Sequence, residues 1–168
     1  MTSTFASEPS VWESPAALLA HVVDSHHAYA RTELARLVPL ARWAARISGE
    51  QYPELSQLVA ILDAVVEHFI PHMRAEETTL FPAILELVDP NVSDDRRRML
   101  RMFIGVARHD HADVETLFQA MRRVTRNYAA PAAADASHRE LYQRLAALET
   151  NLREHLLLEN QLLASLRL

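Results

Sequence analysis

The chain has 168 residues, of which 49% are hydrophobic, and it carries a formal net charge of −5. This length fits a single domain over residues 1–168 and is sufficient to bury a core without covalent cross-links. The absence of cysteine excludes disulfides, thiolate metal sites and cysteine nucleophiles.

The charge distribution and the hydropathy pattern limit the classes of partner that this chain is expected to bind. No basic face is present to pair with phosphates, so we expect no nucleic-acid binding. No apolar run approaches the roughly eighteen residues that a membrane span needs. Residues 1–15 lack the charged and apolar regions of a signal peptide. We therefore expect a cytoplasmic protein with no membrane partner.

The sequence predicts helices throughout, because Ala and Leu are abundant and only two glycines occur. Breaks at residues 48–53, 89–94 and 127–137 interrupt the helical pattern, and Ser93 is a predicted N-cap. Short connections between long amphipathic helices predict antiparallel neighbours, hence an all-α, up-down-up-down four-helix bundle. The predicted helices span roughly residues 14–47, 53–88, 94–127 and 134–167.

Each predicted helix interrupts its apolar stripe with a histidine. The second and fourth helices add a glutamate four residues later, on the same face. Counted outwards from the predicted turns, the histidines of neighbouring antiparallel helices lie at nearly the same height. The six polar residues at core positions are His27, His72, Glu76, His111, His155 and Glu159.

This convergence indicates a metal centre. One core histidine is ordinary and is usually satisfied by a backbone carbonyl, but four of them with two glutamates are costly to bury unless they are paired or bound to metal. Imidazole and carboxylate ligands without thiolate suit Fe, Mn or Zn. Two carboxylates that can bridge favour two metal ions, about 3.5–4 Å apart.

The pattern His27 … His72-x-x-x-Glu76 … His111 … His155-x-x-x-Glu159 resembles the H–HxxxE–H–HxxxE signature of hemerythrin-like (HHE) domains. The stretches HMRAEETTLFP (72–82) and HLLLEN (155–160) are similar to those of bacterial proteins that repair iron centres. The resemblance implies a hemerythrin-like bundle with two irons per chain. The four histidines would be terminal ligands and the two glutamates bridging ligands, and an additional oxo bridge is left open.

Families of this kind usually carry a fifth histidine late in the first helix, where this chain has residues Trp43–Ala45. We take His68, one turn before His72, as its replacement, so His68 completes the predicted set of metal ligands. The alternative is a surface histidine. Pro71 should kink the second helix between the two histidines, which either turns His68 inward or separates it from the face of His72.

Other polar residues near these positions receive simpler interpretations. His26 and His109 are expected around the centre or in solvent, because they neighbour the stripe residues without belonging to the stripe. His21 and His138 lie in outer turns and are expected on the surface. Glu77 is expected to be solvated.

The resemblance implies a non-haem di-iron protein that binds or reacts with O2, NO or peroxide in redox or nitrosative stress response or sensing. Three alternatives stay open: an iron- or oxygen-responsive regulatory module, an iron-centre repair protein, and a bundle that binds zinc or no metal. Repair proteins often carry a cysteine pair, which this sequence lacks. The sequence identifies no protein partner and leaves open whether the protein is an enzyme and whether it forms a homodimer.

Overall fold

The computed structural model describes residues 12–87 and 91–166, and its regular structure over these residues is helical. Four long helices span residues 15–48, 54–86, Asp94–Val124 and Ala136–Ser165. This confirms the predicted all-α four-helix fold, with helix ends within three residues of the predicted ends. The predicted ends at residues 88 and 167, and the first two residues of the break at 89–94, lie outside the described residues.

The helices form a bundle in which sequence neighbours pack together. The first helix packs against the second and the fourth, the second also packs against the third, and the third touches the fourth. Short connections make consecutive helices antiparallel, as the up-down-up-down prediction requires. Of the helices in the described part of the chain, none is long and apolar enough to cross a membrane.

Side-chain caps begin three of the four helices. Ser14 accepts a hydrogen bond from the backbone N–H of Ala17 at 3.1 Å, and Ser93 accepts one from Arg96 at 3.3 Å. The Ser93 cap was predicted from the sequence and is confirmed. Asp135 accepts one from the N–H of His138 at 2.9 Å. Each cap satisfies an N–H that has no partner within its own helix.

Two wide turns of π-helix lie inside the first two helices. One covers Val22–His27 and ends on a predicted ligand, and the other covers Glu76–Leu80 and begins on one. A π segment adds a residue to a turn, which rotates the residues after it relative to those before it; such segments are frequent at functional sites. Pro71 lies within Glu54–Ala75, and the helix continues through it.

The core consists of two apolar clusters, one towards each end of the bundle. The larger contains residues such as Leu34, Leu62 and Phe118, and the smaller contains Leu19 and Leu100 among others. Along each helix, the predicted ligands fall between members of the larger cluster and members of the smaller one. The polar layer is therefore enclosed by hydrocarbon on both sides.

One histidine lies far from where it was expected. His138 has 0% exposure, although we predicted it on the surface. Its ring lies edge-on to Tyr52 at 5.0 Å and to Tyr142 at 4.5 Å. The prediction was wrong because the start of the fourth helix is covered by the connection that follows the first helix, a contact that periodicity does not reveal.

Replacing Asp135 tests the cap that ties the fourth helix to the first, since Asp135 also accepts a hydrogen bond from Ser48 Oγ at 2.8 Å. We expect Asp135→Ala to lower the free energy of unfolding by about 1 kcal/mol, measured by urea denaturation. Asp135→Asn retains a capping oxygen and is the matched control. A loss as large in the Asn variant would contradict a capping role.

Candidate metal centre

The structure brings six of the seven predicted ligands together in the middle of the bundle. They form two groups of four buried residues, and within each group the candidate ligand atoms lie within 4.8 Å of one another. Both groups contain Glu76 and Glu159. The first group adds His27 and His155, and the second adds His72 and His111.

The two histidines of the first group come from the first and fourth helices. His155 Nε2 lies 2.8 Å from Glu159 Oε1, and His27 Nε2 lies 3.4 Å from Glu76 Oε2. The Nε2 atoms of His27 and His155 are themselves only 3.1 Å apart. The two imidazoles thus aim the same ring nitrogen at a common point.

The two histidines of the second group come from the second and third helices. His72 Nε2 lies 3.2 Å from Glu76 Oε2, and His111 Nε2 lies 3.2 Å from Glu159 Oε2. Glu159 therefore turns Oε1 towards the first group and Oε2 towards the second. Its carboxylate thus lies between the two groups and faces both.

Several of these buried atoms have close ion-pair neighbours but no well-aligned hydrogen bond among the described residues: His72 Nε2, Glu76 Oε2 and both carboxylate oxygens of Glu159. A buried polar atom without a partner costs about 1–3 kcal/mol, and more if it is charged. Ligation to a metal ion removes that cost. The set of imidazole nitrogens and carboxylate oxygens therefore fits Fe, Mn or Zn.

Acidic residues outside the two groups orient two of the imidazoles. His27 Nδ1 donates to Glu77 Oε1 at 2.7 Å, and the same oxygen accepts from Arg31 at 2.7 Å. His72 Nδ1 lies 3.3 Å from Asp110 Oδ2. A proton held on Nδ1 leaves the Nε2 lone pair free for a metal and fixes the ring orientation.

The contacts of these two carboxylates with the imidazoles were not predicted from the sequence. Glu77 was expected in solvent, but it lies in the wide turn 76–80, where it reaches His27. Asp110 received no interpretation. A usable signal was present, because each residue directly adjoins a predicted ligand in the sequence, Glu76 and His111 respectively.

Aromatic rings enclose the imidazoles. Phe81 stacks on His27 with ring centroids 5.9 Å apart, and Phe69 stacks on His72 at the same distance. The buried ring of His26 stacks on His155 at 5.8 Å, so His26 belongs to the surroundings of the centre. These rings exclude water and strengthen the electrostatic interactions inside the site.

His68 is the predicted ligand that the structure does not bring to the centre. Its side chain is exposed, and it belongs to neither group of four. The inward stripe of the second helix passes through Val65, Phe69 and His72, so His68 lies about 100° away from Phe69 around the helix. The expectation that His68 replaces the fifth histidine is corrected accordingly.

Mutual pairing shifts the pKa values of the clustered groups. Burial lowers the pKa of His27, but hydrogen bonds with Glu159 and Glu76 outweigh it and raise that pKa to about 9. The same balance raises the pKa of His111 to about 9. Burial raises the pKa of Glu76, yet its hydrogen bonds to three imidazoles lower it to about 2. Metal ions must displace these protons, so metal binding should be weaker at low pH.

Known proteins are similar to this chain along most of its length. The hemerythrin HHE cation binding domain family matches residues 18–166. The iron-sulfur cluster repair protein DnrN of Neisseria gonorrhoeae is 29% identical over 92% of this chain and 93% of its own length. The iron-sulfur cluster repair protein ScdA of Staphylococcus haemolyticus is 28% identical over 87% of this chain and 64% of its own length. The iron-sulfur cluster repair protein YtfE of Yersinia pseudotuberculosis is 30% identical over 87% of this chain and 62% of its own length.

The pKa shifts predict how the stability of the protein stripped of metal by a chelator depends on pH. The raised pKa values of His27 and His111 stabilise the fold fully below pH 6.5, and this contribution is lost as the pH rises through about 9. The lowered pKa of Glu76 stabilises the fold above pH 4.5, and this contribution is lost towards pH 2. We therefore expect the free energy of unfolding, measured by urea denaturation, to be greatest between about pH 4.5 and pH 6.5, where both contributions are present.

A matched variant isolates the histidine contribution. In His27→Gln/His111→Gln protein, the loss of stability between pH 6.5 and 9 should largely disappear. A metal-free native chain whose free energy of unfolding stays constant over this interval would contradict the pairing described here.

Proposed function

Because this chain belongs to the hemerythrin HHE cation-binding family, we propose that it is a non-haem di-iron protein whose centre binds or reacts with small oxidants, namely O2, NO or peroxide. Family membership implies iron. One observation carries the step from one ion to two: both groups of four ligands share the same pair of carboxylates, Glu76 and Glu159. Shared carboxylates are how helical bundles hold two irons.

The chain's own residues would prepare the centre for such ligands. Four imidazoles present Nε2 to the centre, those of His27, His155, His72 and His111. The negative charges of the two glutamates would offset the positive charge of bound metal ions. Each half has four candidate protein ligands, fewer than the six of an octahedral ion. Iron supplies redox chemistry and coordination positions that a small ligand can take.

The names of these three relatives favour a second function, repair of iron–sulfur clusters. This chain spans nearly the whole length of the Neisseria relative but less than two thirds of the other two. The activity of those whole proteins is therefore extended to this chain as a proposal. Both functions need the same iron centre, and they differ in whether iron or electrons pass to a second protein.

Iron content tests the centre directly. Protein expressed with added iron should contain about two irons per chain by a colorimetric iron assay. Glu76→Gln/Glu159→Gln protein should contain less than half as much, because neutral amides replace both shared carboxylates. His68→Ala is the matched control and should retain full iron content. Full iron in the double glutamine variant, or iron loss in His68→Ala, would contradict the assignment.

Exposure to oxidants tests the proposed reactivity. NO or hydrogen peroxide should change the visible absorbance of the iron-loaded protein, while the double glutamine variant should show no such change. Iron-loaded protein that gives an unaltered spectrum with O2, NO and peroxide would refute oxidant binding.

Repair is tested with a second protein. An enzyme whose iron–sulfur cluster has been damaged by NO should regain activity on addition of the iron-loaded chain, and should not regain it with the double glutamine variant or with an equal amount of free iron. Equal recovery with free iron would remove the case for repair.

A further inference from the structure

The two halves of the centre differ in what covers them. In the first half, His27 has 0% exposure and His155 has 1%. The ring of Phe81 covers His27, and the ring of His26 covers His155. The salt bridge between Arg31 and Glu77 closes the Nδ1 side of His27. A ligand approaching this half would have to displace packed rings or an ion pair.

The second half borders a cavity of about 300 Å³ between the second and third helices. The buried side chains of His72 and Glu76 belong to its lining. Val106, which is 59% exposed, lies on its lining and reaches solvent. Most of the remaining lining is small or apolar, with Ala75, Ala107, Leu80 and Phe103 as its principal members, and its polar members are Thr79 and the carboxylate of Asp110.

A second cavity, of about 510 Å³, lies between the third and fourth helices and borders His111. Its lining carries more charge than that of the first cavity, where Glu76 and Asp110 are the acidic members. Four charged side chains contribute to it: Arg108, Glu115, Glu149 and Arg153. Two of these charges are already engaged, since Arg153 contacts Glu149, which also contacts Arg122 and accepts a hydrogen bond from the Tyr128 hydroxyl. Neither cavity borders His27 or His155.

We propose that small uncharged ligands reach the centre at its His72–His111 half, through the cavity between the second and third helices. This inference rests on the proposed function and specifies the route that such ligands take. Uncharged diatomic molecules partition into apolar spaces, whereas an apolar lining disfavours ions, which lose hydration there. Ala107 and Ala75 then set the width of the route, because each leaves space that a larger side chain would fill.

Xenon tests the route without relying on iron chemistry, because xenon occupies apolar cavities in proteins. Crystals of the full chain under xenon pressure should show a xenon atom beside Ala75 and Ala107. Ala107→Phe should abolish that site by filling it. Xenon bound in the cavity between the third and fourth helices instead, or in neither, would overturn the proposal.

Ligand kinetics test the route in the iron-loaded protein. The rate at which NO changes the absorbance should fall severalfold in Ala107→Phe and in Val106→Trp, a surface variant with little risk to folding. Leu157→Trp is the matched control, since Leu157 is 58% exposed and lines the other cavity. Its rate should equal that of the native chain. Slowing in Leu157→Trp but not in the other two variants would overturn the proposal.

The two measurements separate failure of the route from failure of the proposed function. If NO leaves the spectrum of fully iron-loaded native protein unchanged, oxidant binding fails, while the position of xenon still decides which cavity is open to apolar ligands. If NO binds at one rate in all three variants, the centre is confirmed as reactive and the route is refuted.

Discussion

The structure depends on one constraint, the burial of six ionisable side chains in a single layer of an otherwise apolar bundle. Hydrocarbon clusters lie on both sides of this layer and its six side chains are buried, so water solvates its charges poorly. The charges must therefore satisfy one another or bind ions. Imidazoles paired with carboxylates at 2.8–3.4 Å meet part of this requirement. The carboxylate oxygens of Glu159 lie near imidazoles but make no well-aligned hydrogen bond, so pairing alone does not meet all of it.

That constraint accounts for features that otherwise look unrelated. The wide turns at Val22–His27 and Glu76–Leu80 interrupt regular helix at positions where a ligand must face inward. One of them also delivers Glu77 to the outer nitrogen of His27, which fixes the ring that would hold a metal. The local irregularity and the hydrogen bond are thus parts of the same arrangement.

The centre is symmetric in its ligands but not in its surroundings. Each half combines two histidines with the same two glutamates. Stacked rings and an ion pair cover the half built on His27 and His155, and cavities adjoin the half built on His72 and His111. Because the protein ligands are alike, any difference between the two positions must come from access and from the outer carboxylates. Such a division fits the proposed centre, in which a small molecule would bind at the His72–His111 half while the other half is protected.

The sequence by itself determined the four helices and the six clustered residues. The reason is geometric: a 3.6-residue period places His72 with Glu76, and His155 with Glu159, on one face whatever surrounds them. The same period could not decide which neighbour covers each face. His68 points outward because Val65 and Phe69 already occupy the inward positions, and His138 is buried because Tyr52, from a distant connection, packs on it. The contact of Glu77 with His27 and the cavity beside His72 likewise required the tertiary structure, since both arise between helices.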